Sequence, residues 1–182
     1  MVGAVAKKKT SQGTPAVVAL QRAGVAHTVH AYDHEHGHEP EGGRTGKERP
    51  HYGQAAAQAL GVPPERLFKT LLAQVDDELA VAVVPVSASL DLKAFAAALG
   101  GKRAQLAEPA VAEKATGYVV GGISPLGQRR RLRTVVDASA KNHPTVYVSA
   151  GRRGLQVELA PADLVEQCAA TSAPIATAPI AT

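Results

Sequence analysis

The chain has 182 residues, 45% of them hydrophobic, which suits one domain of ordinary size with a real core and argues against a second. Aromatics make up only 3%, so the core must be built mainly from Ala, Val and Leu, and stacking platforms for single-stranded nucleic acid are scarce. Twenty Lys and Arg against 16 Asp and Glu give a net charge of +4, a mild preference for polyanions, and the one cysteine excludes a disulfide framework or a Cys-rich zinc site.

Residues 1–13, "MVGAVAKKKTSQG", read as a disordered leader, with a basic run but no apolar stretch after it. No later segment approaches a membrane span, so a soluble protein of the reducing cytoplasm is expected, with no membrane partner. "TPAVVALQRAG" predicts a helix, with Thr14 as N-cap, Pro15 at the first helical position and Gly24 as the stop. "VAHTVHAY" predicts a strand ending at Tyr32. Residues 33–52 are polar and rich in Gly and Pro, and form a long loop. "GQAAAQALG" is a short helix, "LFKTLLAQV" a strand, "DDE" a turn, and "LAVAVVPV" a central strand buried on both faces.

"LDLKAFAAALGG" predicts an amphipathic helix, "KRAQLA" a strand and "EPAVAEKATG" a second short helix. Three strands follow, "LRTVVDA", "TVYVSA" and "LQVELA", then a closing helix from about Pro161 to Ala170. The end, "APIATAPIAT", is a tandem repeat with Pro in each copy, and residues 171–182 are expected to be a flexible tail outside the core. The resulting expectation is a single domain over residues 14–170, an α+β fold around a mixed, partly closed β-sheet with surrounding helices.

Lys69 in "LFKTLLA" is the most informative residue, because strand alternation puts it on the face of Leu67, Leu71 and Ala73. Either its stem packs while the ammonium reaches water, or it donates to a carbonyl or phosphate oxygen of a ligand. "GYVVGGISPLG" has neither the Walker A spacing nor the dinucleotide fingerprint. Its Gly121 and Gly122 either bring bare backbone N–H groups to a ligand oxygen or form a tight turn. The four arginines of "RRRLR", Arg129, Arg130, Arg131 and Arg133, are a solvated strand end or a phosphate-contacting patch, with Arg152 and Arg153 as a second cluster. "HEHGH" alternates His34, His36 and His38, but nothing elsewhere completes a metal site, and a mobile loop is the simpler reading. Cys168 has no Cys-His logic around it and reads as a packed thiol, and no serine sits in a nucleophile elbow. Any catalysis must rest on positioning and polarisation.

The strings "TPAVVALQRAG", "FKTLL", "LAVAVVPV", "LDLKAFAAALGGKRAQLAEP", "ATGYVVGGISPLGQRRRL" and "VYVSAGRRGLQVELAPADL" resemble the YbaK/EbsC family, specifically its Cys-tRNA(Pro) deacylases, from about Thr14 to Leu164. These are similar to the editing domain inserted in bacterial prolyl-tRNA synthetase. The resemblance implies hydrolytic removal of cysteine from mischarged Cys-tRNA(Pro), with no metal or organic cofactor. It also implies attack by the substrate's own thiol on its ester, and prolyl-tRNA synthetase as a partner in recognising the tRNA.

The family's pocket lysine falls on Lys69, followed by Thr70; Tyr32 matches the pocket tyrosine and Tyr52 an aromatic position at its rim. Gly121, with Gly122 beside it, corresponds to backbone lining the carbonyl pocket, and Ser149 to a serine near the terminal adenosine. The chain departs from the pattern twice. Gln156 in "GLQVEL" replaces the aspartate of the family's "GLDIEL", with Glu158 on the same strand face as a candidate substitute, and the loop 33–52 is longer than in relatives. Two other readings stand beside this one: an editing deacylase for another charged tRNA such as Ala-tRNA(Pro) using a bound water, and a non-catalytic tRNA- or synthetase-binding module.

Overall fold

The structure is a computed structural model that describes residues 13–34 and 52–177. The expected leader, apart from Gly13, and most of the histidine-bearing loop, including His36 and His38, lie outside the described residues.

Helix α1 spans Pro15–Ala23, and the caps read from sequence set both its ends. The Thr14 hydroxyl accepts from Val17 N–H, and Gly24 takes the left-handed conformation at φ 67° that closes the last turn. Strand β1 is His27–Ala31 and helix α2 is Tyr52–Leu60. Strands β2 (Phe68–Val75) and β3 (Glu78–Pro85) form a hairpin across the acidic turn, where Asp76 has φ 50°. Helix α3 (Leu92–Ala98) starts at Asp91, whose carboxylate accepts from Ala94 N–H. Strand β4 (Ala104–Leu106), helix α4 (Pro109–Thr116), strand β5 (Arg133–Asp137) and a 3-10 turn (Ala138–Asn142) follow. The chain continues through β6 (Val146–Arg152), β7 (Leu155–Leu159), α5 (Pro161–Gln167) and β8 (Thr171–Ala173).

The fold is α+β, but the expected single, partly closed sheet is two sheets. One has the order β1-β7-β6 and the other the mixed order β4-β2-β3-β5-β8. They meet at one isolated parallel bridge between Leu67 and Tyr147. β3 is central and buried on both faces as its apolar run requires: Val81 and Val83 enter the larger core, while Ala80, Ala82 and Val84 pack toward α3. The larger core lies between the two sheets and takes in α1 through Ala16, Val17 and Leu20.

The end of the chain corrects the expected tail. β8 pairs in parallel with β5, and Ile175 is fully buried. The Asp137 carboxylate accepts from Ile175 N–H at 2.9 Å, Ala176 N–H at 3.0 Å and the hydroxyl of Ser139. The first copy of the Pro-containing repeat is therefore docked, because its isoleucine fills a slot beside α3 and a buried acid supplies its backbone donors with an acceptor. Helix α5 stops at Gln167, short of the expected Ala170, and Ala169 turns out at φ 46°.

Candidate active site

Alternation divides the three-stranded sheet into two faces. Val29, Val146, Val148, Ala150, Leu155, Val157 and Leu159 enter the larger core, so His30, Tyr147, Ser149, Gln156 and Glu158 project from the other face. On that side Tyr147, Leu67 and Val86 form a small cluster with Ala56 and Ala57 of α2, and Tyr32 packs against it. The Leu67 to Tyr147 bridge fixes the level of β2 against β6. Two residues beyond it, Lys69 comes level with Ser149, which is paired with Gln156. There β2 pairs with β3, its pairing with β4 beginning only at Ala73, and β6 pairs with β7, so beyond the isolated bridge the two ladders part and leave a cleft between their edges.

Lys69 occupies that opening. It is half-buried on an apolar strand face, between Leu67 of one cluster and Leu71 and Ala73 of another. Among the described residues no hydrogen bond or ion pair holds its ammonium, and burial pushes its pKa below the ordinary 10.5. Gln156 is 6% exposed and its Oε1 has no hydrogen-bond partner, an expensive state for a buried amide. Thr70 does not join them. Alternation turns its side chain to the face of Phe68 and Leu72, where Oγ1 is also buried without a partner.

The glycine loop reaches the cleft from α4. Ser149 Oγ donates to the Gly122 carbonyl at 3.1 Å and accepts from Gly151 N–H, which ties the loop to β6. A Cβ on Gly122 would lie 2.7 Å from Arg152 Cα, so the backbones touch and only glycine fits. Gly121 has φ 90°, and a Cβ there would sit 2.5 Å from Arg153 Nε and 3.1 Å from the Tyr52 ring. The Arg153 guanidinium lies over that ring, 4.3 Å from its centroid, and donates to the Val120 carbonyl at 2.8 Å. Tyr52, Gly121 and Arg153 are thus in mutual contact at the rim.

A second group on the same sheet face is invisible in sequence. Glu158 takes His30 Nε2 at 3.0 Å, the Thr145 hydroxyl at 2.5 Å and the Arg66 guanidinium at 3.5 Å. The hydroxyl of Thr145 first, and His30 after it, hold the Glu158 carboxyl below the ordinary carboxylate range. A carboxylate so engaged is committed to neighbours, which argues against Glu158 standing in for the aspartate replaced by Gln156. Arg66 also lies over the ring of Tyr147, and His30 tilts against it.

The run Arg129, Arg130 and Arg131 is exposed and leads, through a bend at its first two residues, into β5 at Arg133. Its first two N–H groups cap α4 by donating to Thr116 and Ala115 carbonyls. Arg133 stands apart, because its guanidinium donates to the Leu99 carbonyl at the end of α3. Arg152 is exposed beside Arg153. Cys168 lies elsewhere, with Sγ on the Pro125 carbonyl and a thiol pushed up to about 12 by burial, so it is inert as a nucleophile. Among the described residues no three His, Cys, Asp or Glu side chains gather to hold a metal, and no helix is long and apolar enough to cross a membrane. An open depression of about 750 Å³ lined by Asp76, Lys93 and Lys102 lies at the opposite end of β2 from Lys69.

A family model described as an aminoacyl-tRNA editing domain matches residues 51–166. An Enterococcus faecalis protein, provisionally named Cys-tRNA(Pro)/Cys-tRNA(Cys) deacylase EbsC, is 33% identical over 159 residues, covering 86% of this chain and 89% of its own. The proline–tRNA ligase of Listeria monocytogenes is 30% identical over 95 residues, which are 52% of this chain and 17% of that enzyme. Among solved structures, a protein provisionally described as a trans-editing enzyme for prolyl tRNA synthetase superposes with a TM-score of 0.77 at 20% identity, covering 94% of this chain and all of the other. The hypothetical protein APE2540 gives 0.74 at 23% identity over 90% and 99% of the two chains. At such identities the structures speak for the fold alone.

Proposed function

The chain belongs to the YbaK/EbsC family of aminoacyl-tRNA editing proteins, and from that premise we propose that it is a trans-editing deacylase that frees tRNA(Pro) from mischarged cysteine. The observation that carries the reading is the cleft at Lys69. It holds an unpaired, desolvated amine and an orphaned Gln156 acceptor, and among the described residues no activated nucleophile lies beside them. Such a site can hold and polarise an ester but has nothing of its own to attack it with.

The attacking group then comes from the substrate. The cysteine thiol gives up its proton and its sulfur bonds to the ester carbonyl carbon, while the bond from that carbon to the ribose oxygen breaks. The ribose oxygen takes a proton, the tRNA leaves, and water later opens the four-membered thiolactone to free cysteine. Lys69 donates N–H to the carbonyl oxygen, where negative charge develops, in a setting that strengthens the interaction because water is partly excluded. The Gln156 amide oxygen supports the reading as an acceptor for the substrate's ammonium. Tyr32 and Tyr52 wall the pocket, and Ser149, bonded to Gly122 and Gly151, is read as a contact for the terminal adenosine. Arg129, Arg130, Arg131 and Arg152 are read as contacts to the phosphate backbone; they carry little sequence information, so selection of tRNA(Pro) falls to a partner such as prolyl-tRNA synthetase.

Cys-tRNA(Pro) and Ala-tRNA(Pro) assayed side by side test this. Loss of the cysteine ester with the alanine ester spared supports the proposal. Selective loss of the alanine ester means a water mechanism, and loss of neither means a binding module.

A further inference from the structure

Both backbone polar groups of Val120 and both of Gly122 are tied by hydrogen bonds, whereas among the described residues the N–H of Gly121 between them is not. Val120 N–H donates to Glu113 Oε1 at 2.9 Å, and the Val120 carbonyl accepts from Arg153 Nη2 at 2.8 Å. Gly122 N–H donates to the Val119 carbonyl at 2.9 Å, and the Gly122 carbonyl accepts from Ser149. Among the described residues Gly121 N–H has no acceptor. A trans peptide is planar, so the N–H of Gly121 points opposite to the Val120 carbonyl in the same unit. The side chain that grips that carbonyl therefore decides where the free donor points.

We propose that Glu113 and Arg153 are positioning residues that hold the two peptides flanking Val120, so that the N–H of Gly121 is kept as a fixed donor to the substrate's carbonyl oxygen. The inference rests on the deacylase reading for the identity of that oxygen. It gives Arg153 a role other than phosphate contact, and it gives Glu113, a residue of α4 far from Lys69 in sequence, a role that no motif marks. Three features build the clamp. Glu113 anchors the loop twice, with its carboxylate on Val120 and its own carbonyl on Gly117 N–H at 2.9 Å. The Tyr52 ring packs against the guanidinium, whose Cζ lies 4.3 Å from its centroid, and a guanidinium offers a directed N–H that a lysine ammonium does not. The absence of a side chain on Gly121 lets the guanidinium come that close, since a Cβ would lie 2.5 Å from its Nε.

A donor held in advance stabilises the transition state more than the bound substrate, so loosening it lowers kcat and leaves KM alone. Glu113→Ala, Glu113→Gln and Arg153→Lys are compared in the full chain. Deleting such a donor outright costs about 10²–10³ in kcat, and a loosened one should cost about tenfold. Glu113→Ala and Arg153→Lys are expected to show that loss with KM unchanged, while Glu113→Gln, whose amide oxygen still accepts from Val120, keeps the parent rate. The independent readout is the Gly121 amide peak in ¹⁵N-glycine-labelled protein without substrate. It should shift in Glu113→Ala and Arg153→Lys and return in Glu113→Gln. An unmoved Gly121 peak, or a change confined to KM, overturns the clamp. If the parent cleaves no aminoacyl ester, the deacylase reading falls, and the Gly121 peak still decides whether the two side chains hold the loop.

Discussion

Replacing Lys69 by Met should make the protein more stable and less active at once. The ammonium is half-buried on an apolar face without a partner, and burial lowers its pKa below 10.5. Between the folded pKa and 10.5 the unfolded chain binds the proton more tightly, so folding stability rises with pH across that window. Below the window the cost of keeping the charge in the cleft is present in full. Methionine has nearly the same reach and no charge, so Lys69→Met removes the cost and keeps the packing with Leu67 and Leu71. A gain of about 0.5–2 kcal/mol is expected, the usual range for a single stabilising substitution. For a chain of this size each kcal/mol raises Tm by about 2–4 °C. Deacylation should fall by about 10²–10³ with the loss of a donor to the developing negative charge. Thermal unfolding followed by circular dichroism at pH 7 and again near pH 10 gives the first half, and the parent's rise in stability between them should be smaller in Lys69→Met. A variant that unfolds earlier than the parent, or that keeps full activity, would show a lysine whose ammonium simply sits in water.

Changing Arg129, Arg130 and Arg131 together to Ala should weaken tRNA binding and lower the slope of log K against log salt by about 2–3, roughly one unit per lost phosphate contact, with the amino acid cleaved unchanged. Arg133→Ala serves as the control, because that guanidinium is spent on the Leu99 carbonyl; an unchanged slope in the triple variant would mean a solvated surface. Asp137→Ala should cost about 1.5–3 kcal/mol through loss of hydrogen bonds to a buried carboxylate, and should expose residues after Ala170 to proteolysis. Unaltered Tm and an intact C-terminus would show that the docked segment holds by Ile175 alone.

What the sequence made legible was local. Thr14, Pro15 and Gly24 bracket α1 because caps act within one turn, and Lys69 stood out because a cation interrupts an apolar face whose period is two. Pairing over long distances was not legible. His30 meets Glu158 across 128 residues only because β1 lies against β7, and nothing in "HTVHA" marks that. Glu113 looks like any helix glutamate until the loop returns above it. The last described segment was misread because Pro, Ala and Thr resemble a linker in composition, whereas a single isoleucine and a buried acid decide the docking. Thr70 shows the limit of reading adjacent residues as one site, since neighbours on a strand face opposite ways.

The central claim, that this cleft supplies polarisation and the substrate supplies the nucleophile, is tested most directly by single-turnover cleavage of tRNA(Pro) charged with cysteine against the same tRNA charged with S-methylcysteine. Blocking the sulfur removes the attacking group and leaves the ester, the ammonium and the tRNA as they were. The account predicts rapid release of tRNA from the cysteine ester and none above background from the methylated one. Equal cleavage of both would contradict it and require a water activated within the cleft.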